Sequence, residues 1–257
     1  MTCPAEFLAV AAEAGDLAAA MLRHAFRGPL QVEDKKDGSP VTQIDRAVET
    51  ALRDLLRRRV PDHGVIGEEF PAERADAEFV WILDPLDGTK DFILGLPLFG
   101  CLIALAHRGR FVLGLAAQPL TGDRWLGAAG HGTTLNGAPV RTRPCAGLDT
   151  ATASTMGYDT FAATRATALR RVRAACQTLV TADSFYVFGL LAMGRVDLIA
   201  SDGFALHDYA ALDVIVREAG GAMTDWQGAP LGLHSDRTVL AAGDARLMAP
   251  VRALLAG

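Results

Sequence analysis

The segment Trp81-Ile82-Leu83-Asp84-Pro85-Leu86-Asp87-Gly88-Thr89 holds the side chains best suited to chemistry. Two carboxylates three residues apart leave a β-branched and aromatic run, and a proline fixes the turn between them. Gly88 lets the backbone approach a ligand closely, and Thr89 adds a hydroxyl. Hard cations such as Mg2+ take oxygen ligands and combine one or two carboxylates with the oxygens of a substrate phosphate. The same residues also suit a simple Asx-turn, in which the aspartates bond only their own backbone. The Gly-Thr that follows a buried strand favours the ligand-binding reading. Four further residues add acid. Gly67-Glu68-Glu69 ends the preceding strand, so its carboxylates can reach the same sheet edge, although such a pair can also be merely solvated. Asp208 opens a helix, where Asp also serves as an N-cap. Asp45 lies in Thr42-x-x-Asp45, a capping-box pattern. The histidines are scattered, and His207 beside Asp208 reads as a wall residue rather than a ligand.

The elements that must position these groups are legible from periodicity. Phe7, Ala11, Ala14, Ala18, Met21, Leu22, Ala25 and Phe26 recur at helical spacing, and Gly28-Pro29 ends the run. A polar stretch over residues 33–40 reads as a loop or hairpin. A second helix opens at Thr42, buries Ile44, Val48, Ala51, Leu52, Leu55 and Leu56, and ends before Pro61. Val65-Ile66 is a short strand, and Phe79-Val80-Trp81-Ile82-Leu83 is a buried one that stops at Asp84-Pro85. Residues 101–107 and 111–117 read as paired strands, residues 125–127 as another, and Asn136-Gly137 as a hairpin turn. Beyond a boundary near residues 141–150, helices over about 164–178, 185–193 and 209–219 alternate with short apolar runs such as 196–200. Strands come early and α/β alternation late, which predicts two layered subdomains, residues 1–145 and 146–257.

Composition narrows the class. The 257 residues are half hydrophobic and 21% charged, which makes the chain globular. With 25 basic against 30 acidic residues and no basic stripe, nucleic acid is not an expected partner. No apolar run reaches the roughly 18 residues that span a bilayer, and no secretory leader opens the chain, so no membrane is expected. Cys3, Cys101, Cys145 and Cys176 fall at irregular spacing with no C-x-x-C, which argues against a zinc site or a disulfide frame and for a reducing cytoplasm.

Taken together, Gly67-Glu68-Glu69, the segment from Trp81 through Thr89, and Asp208 with Glu218-Ala219-Gly220-Gly221 resemble the signatures of the inositol monophosphatase family of magnesium-dependent, lithium-sensitive phosphatases. The resemblance runs over residues 36–244. It implies a layered α-β-α-β-α sandwich, two or three Mg2+ ions, a small-molecule phosphate monoester as substrate and a homodimer. By the same resemblance, Glu68, Asp84 and the carbonyl of Leu86 hold a first ion, and Asp84, Asp87 and Asp208 a second. Glu69 stands near a weaker third. Asp45 and Thr89 orient and deprotonate the attacking water, with Glu68 beside them in the catalytic set, and the backbone of Gly88 and Thr89 cradles the phosphate. Carboxylates converging in this number repel one another without a cation.

Within that family, Lys90-Asp91-Phe92-Ile93, Gly95-Leu96-Pro97-Leu98-Phe99-Gly100, residues 189–198 and residues 223–228 look nearest the histidinol-phosphate phosphatase branch. That branch carries acids where Ser184 and Ser201 stand, and here the acids are one residue over, at Asp183 and Asp202. These four positions, with Asp87 and Asp208, are the expected substrate contacts. Inositol-1-phosphate is the alternative substrate, and a non-catalytic regulator on the same fold is the alternative class.

Overall fold

The computed structural model of the chain describes residues 2–35, 38–156, 163–180 and 184–256. Helix α1 (Ala5–Ala25) leads through a two-stranded hairpin, β1 (Val32–Asp34) and β2 (Pro40–Thr42), into helix α2 (Gln43–Arg59). A seven-stranded sheet follows: β3 (Gly64–Gly67), β4 (Phe79–Asp87), β5 (Gly100–His107), β6 (Arg110–Gln118), β7 (Asp123–Ala128), β8 (Gly132–Leu135) and β9 (Ala138–Val140), side by side in chain order. Only the β3/β4 pair is parallel. A short helix α3 (Thr89–Leu94) leaves the end of β4. The second sheet has the order β11-β10-β12-β14-β13, built from β10 (Thr152–Met156), β11 (Thr178–Val180), β12 (Leu198–Asp202), β13 (Ala222–Thr224) and β14 (Thr238–Ala242). Helices α4 (Ala163–Ala175), α5 (Tyr186–Ala192), α6 (Leu206–Glu218) and α7 (Met248–Ala256) complete the chain.

Strand alternation builds the layers. Trp81, Leu83, Ile103, Leu105, Leu113 and Leu115 turn one face of the large sheet onto α1 and α2. Their neighbours Ile82, Leu102, Ala104 and Ala116 face the other way, onto α5 and α6. Those two helices also receive Ile199, Val239 and Ala241 from the second sheet. Leu198, Ala200, Leu240 and Ala242 then point outward, under Leu169 and Val172 of α4 and Val251 and Leu255 of α7. The result is the α-β-α-β-α sandwich expected from the resemblance. None of the described helices is long and apolar enough to cross a membrane.

Helix α6 sits unusually close to the large sheet because two paired positions beneath it lack side chains. Gly114 and Gly127 are cross-strand partners. A Cβ on Gly114 would lie 2.0 Å from the Ala211 carbonyl oxygen, and one on Gly127 2.8 Å from Ile215 Cα. The Thr133 hydroxyl donates to the Ile215 carbonyl at 2.7 Å and pins the same stretch. Since α6 carries Asp208, this seating sets how far that carboxylate reaches. Gly114→Ala is expected to overpack the interface by about 1–3 kcal/mol, lowering Tm by roughly 2–12 °C in a chain of this size. A thermal scan indistinguishable from wild type would contradict this packing.

Candidate metal centre

Sequence periodicity ends β4 at Leu83, but the strand continues through Asp87. Pro85 supplies no N–H to the ladder, so pairing with β5 is irregular between Asp84↔Leu102 and Asp87↔Gly100 while the extended backbone persists. Asp84 is almost wholly buried. Its Oδ1 accepts the Leu86 N–H at 3.1 Å, so the Asx-turn contact exists and leaves the rest of the carboxylate available. Gly88 then turns the chain with φ +82° into α3. A Cβ there would meet the Leu98 carbonyl at 2.7 Å, so the turn admits only glycine without strain. The first N–H groups of α3 have no acceptors within their own helix.

Asp208 comes from the other side, on the first turn of α6. The helix starts three residues earlier than its apolar spacing implies. Ala205 is the N-cap, and Asp208 is the third helical residue rather than the cap. Its Oδ2 accepts the Ala205 N–H at 2.6 Å, the N3 half of a capping box, while alanine offers no side-chain acceptor to the first turn. Ligand atoms of Asp84, Asp87 and Asp208 all lie within 4.8 Å of one another. Glu68, Asp84 and His207 form a second such group. His207 Nε2 stands 3.4 Å from Asp208 Oδ1 and 3.7 Å from Glu68 Oε2, so its ring nitrogen faces the acids it was expected only to wall in.

Below this cluster runs a hydroxyl-carboxylate relay. Thr42 caps α2, and the expected capping box is present: Asp45 Oδ2 accepts the Thr42 N–H at 2.9 Å and its hydroxyl at 2.5 Å. The other oxygen, Oδ1, accepts from Thr89 Oγ1 at 3.1 Å, and the Leu86 carbonyl lies 3.1 Å from the same hydroxyl. One hydroxyl proton cannot serve both acceptors fully, and the lone pairs of Thr89 Oγ1 stay open to a donor such as water. Asp45 thus completes the capping box of α2 with one oxygen and accepts the Thr89 hydroxyl with the other.

Charge is the dominant fact of the site. Burial, then the charges of Glu68, Asp87 and Asp208, hold the Asp84 carboxyl well above the usual carboxylate range. Burial also raises Asp208, against the opposing pull of His207 and the Ala205 N–H. Glu69 and Asp45 are raised chiefly by burial as well. Asp84, Asp87 and Asp208 fit a hard cation by their carboxylate donors and by the charge they leave to be neutralised. Lys35 meets the charge of Glu68 and Glu69. Its Nζ lies 2.6 Å from both Glu68 Oε1 and Glu69 Oε1. Burial pulls its ammonium down, but the two carboxylates outweigh this and keep it above the ordinary lysine value. Sequence reasoning missed Lys35, which lies in a charged hairpin that reads only as solvated loop.

The expected specificity residues are spread over the second layer. Ser184 is buried, with its Oγ 3.4 Å from the Leu98 carbonyl that borders Gly88. Ser201 and Asp202 end β12, one fully and the other nearly buried, and Asp202 Oδ1 accepts the Gly203 N–H at 2.8 Å. Asp183 lies outside the described residues.

The sequence model of the inositol monophosphatase family matches residues 4–255. The chain belongs to the inositol monophosphatase family. Among its relatives, the bifunctional phosphatase IMPL2, chloroplastic, of Arabidopsis thaliana is 38% identical over 224 residues, covering 86% of this chain and 65% of that protein, just under two thirds. A histidinol-phosphatase of Mycobacterium tuberculosis is 34% identical over 227 residues, covering 83% of this chain and 84% of that one. A solved inositol monophosphatase from Zymomonas mobilis superposes with a TM-score of 0.89 at 39% identity, over 97% of each chain. The layered sandwich of this chain is therefore the fold of the family.

Proposed function

We propose that this chain is a Mg2+-dependent phosphomonoesterase and that histidinol phosphate is its substrate. The convergence of Asp84, Asp87 and Asp208 within 4.8 Å carries the first part. In this reading Glu68, Asp84 and the Leu86 carbonyl hold one ion, Asp84, Asp87 and Asp208 a second, and Glu69 borders a third. Bound Mg2+ supplies an activated water and charge neutralisation for the leaving oxygen. Thr89 would accept a hydrogen bond from the attacking water while donating to Asp45, and the water's proton would pass to Thr89 Oγ1 as the Thr89 hydroxyl proton passes to Asp45 Oδ1. The N–H groups at Gly88 and Thr89 orient the phosphoryl oxygens. A cytoplasmic homodimer completes the proposal. Leu94 at the end of α3, Leu96, Leu98 and Leu120 are exposed large apolar side chains, and Gln118 joins their two segments by donating to the Pro97 carbonyl and accepting from the Leu120 N–H.

The amine of histidinol phosphate supports the substrate choice, because Asp202 offers a nearly buried carboxylate at the end of β12. Likeness to the M. tuberculosis histidinol-phosphatase points the same way, whereas likeness to the Z. mobilis inositol monophosphatase favours inositol-1-phosphate as the second reading. Phosphate release from histidinol phosphate, inositol phosphates, sugar phosphates and adenosine bisphosphate decides between them, and a kcat/KM led by any compound but histidinol phosphate overturns the choice. A charge-assisted contact is worth roughly 1.5–3 kcal/mol. Asp202→Asn should therefore lower kcat/KM for histidinol phosphate about ten- to hundredfold. Hydrolysis of p-nitrophenyl phosphate, which has no amine, should stay nearly constant. Equal losses on both would place Asp202 in the structure rather than in recognition.

A further inference from the structure

Glu49 is fully buried on α2, and its carboxylate is committed at both oxygens. Oε1 accepts from Arg53 Nε at 2.8 Å, and Oε2 accepts the Glu69 N–H at 2.7 Å. Arg53 in turn donates through Nη2 to the Phe70 carbonyl at 3.1 Å and through Nη1 to Glu73 at 3.0 Å. Gly67 presses on the same carboxylate: a Cβ there would lie 2.0 Å from Glu49 Oε1. The turn that carries Glu68 and Glu69 is thus gripped from beneath at Gly67, Glu69 and Phe70, while the Glu68 N–H holds the Leu83 carbonyl at 3.2 Å. Asp45, Glu49 and Arg53 fall at i, i+4 and i+8, on one face of a single helix. Asp45 contacts Thr89 on one ligand-bearing segment, and Glu49 and Arg53 contact the other.

We infer that Glu49 is a positioning residue for the metal centre: with Arg53 it fixes the Gly67–Phe70 turn, so that one face of α2 sets Glu68 and Glu69 against the Asp84–Thr89 turn. This rests on the metal reading proposed above, and it adds a dependence of cation affinity on a residue that touches neither cation nor substrate. Groups that orient metal ligands typically change affinity by about 10- to 100-fold when altered.

Glu49→Gln keeps the shape but turns an amide N–H2 toward either the Glu69 N–H or Arg53 Nε, donor against donor. In the full chain stripped of metal, the Glu69 amide should lose at least about tenfold in hydrogen-exchange protection, and Mg2+ affinity by calorimetry should fall about 10- to 100-fold. At saturating Mg2+, kcat should recover to within about threefold of wild type, since the ligands themselves remain. Gly67→Ala, which displaces the same carboxylate, should reproduce this pattern. Leu55→Ala, a cavity in the other face of α2, should lower Tm and leave Mg2+ affinity and Glu69 protection unchanged. Wild-type values of both in Glu49→Gln would overturn the assignment. A wild-type chain that takes up no Mg2+ would instead overturn the metal reading, and Glu69 exchange would still decide whether Glu49 holds the turn.

Discussion

Asp84→Asn should stop phosphate release and at the same time stabilise the metal-free protein. Asp84 is buried among Glu68, Asp87 and Asp208, and burial and those charges raise its carboxyl. Asparagine keeps an oxygen for the Leu86 N–H and turns an N–H2 toward the neighbouring acids, so repulsion becomes hydrogen bonding. Relief of that repulsion should raise Tm, by roughly 2–4 °C for each kcal/mol regained in a chain of this size. The pH dependence has a definite sign. The unfolded carboxyl ionises near 3.8 and the folded one higher. Between those values the wild type loses stability as pH rises, so the advantage of the variant is absent below about pH 4 and grows above it. Asp208→Asn tests the same cluster from α6. Its amide oxygen can still accept the Ala205 N–H, so the helix start survives. If Asp208 holds an ion as proposed, loss of its charge should nevertheless cut kcat by about a thousandfold or more. Near-normal turnover in Asp208→Asn would return that residue to a purely structural place in the first turn of α6.

Thr89→Val should lower kcat by about 10²- to 10⁴-fold, the range for loss of a positioned proton acceptor. Valine matches threonine in shape and deletes only the hydroxyl that bonds Asp45 at 3.1 Å. KM should change little, because the backbone N–H groups at Gly88 and Thr89, proposed to hold the phosphate, are untouched by the substitution. Thr89→Ser should recover most of the activity. Steady-state kinetics with a thermal scan separate this from misfolding, and equal activity in Val and Ser variants would remove Thr89 from proton transfer.

Much of this site is legible in the sequence because its parts are local. The β4 run, the Pro85 turn, the Thr42/Asp45 capping box and the Asn136-Gly137 hairpin each follow from a few adjacent residues. The misses are of another kind. Helix α3 is six residues long, too short to show a period. Asp208 is expected to stand just before its helix, as ligand or cap, because nothing in the sequence reveals that Ala205, with no side-chain acceptor, occupies the cap. Glu49 and Arg53 have the spacing of a solvent-exposed helix pair. They are buried only because the chain between β3 and β4 folds across them, a tertiary contact that spacing does not encode. Lys35 is similar: its role depends on Glu68 and Glu69, 33 and 34 residues away.

The most direct test of the account is phosphate release from histidinol phosphate, and from the best alternative substrate, at graded Mg2+ and in excess chelator. The carboxylate cluster predicts no turnover in chelator, saturable recovery as Mg2+ is restored, and a parallel rise in Tm as the repelling acids gain their counter-charge. Full turnover in chelator, with Tm indifferent to Mg2+, would contradict it.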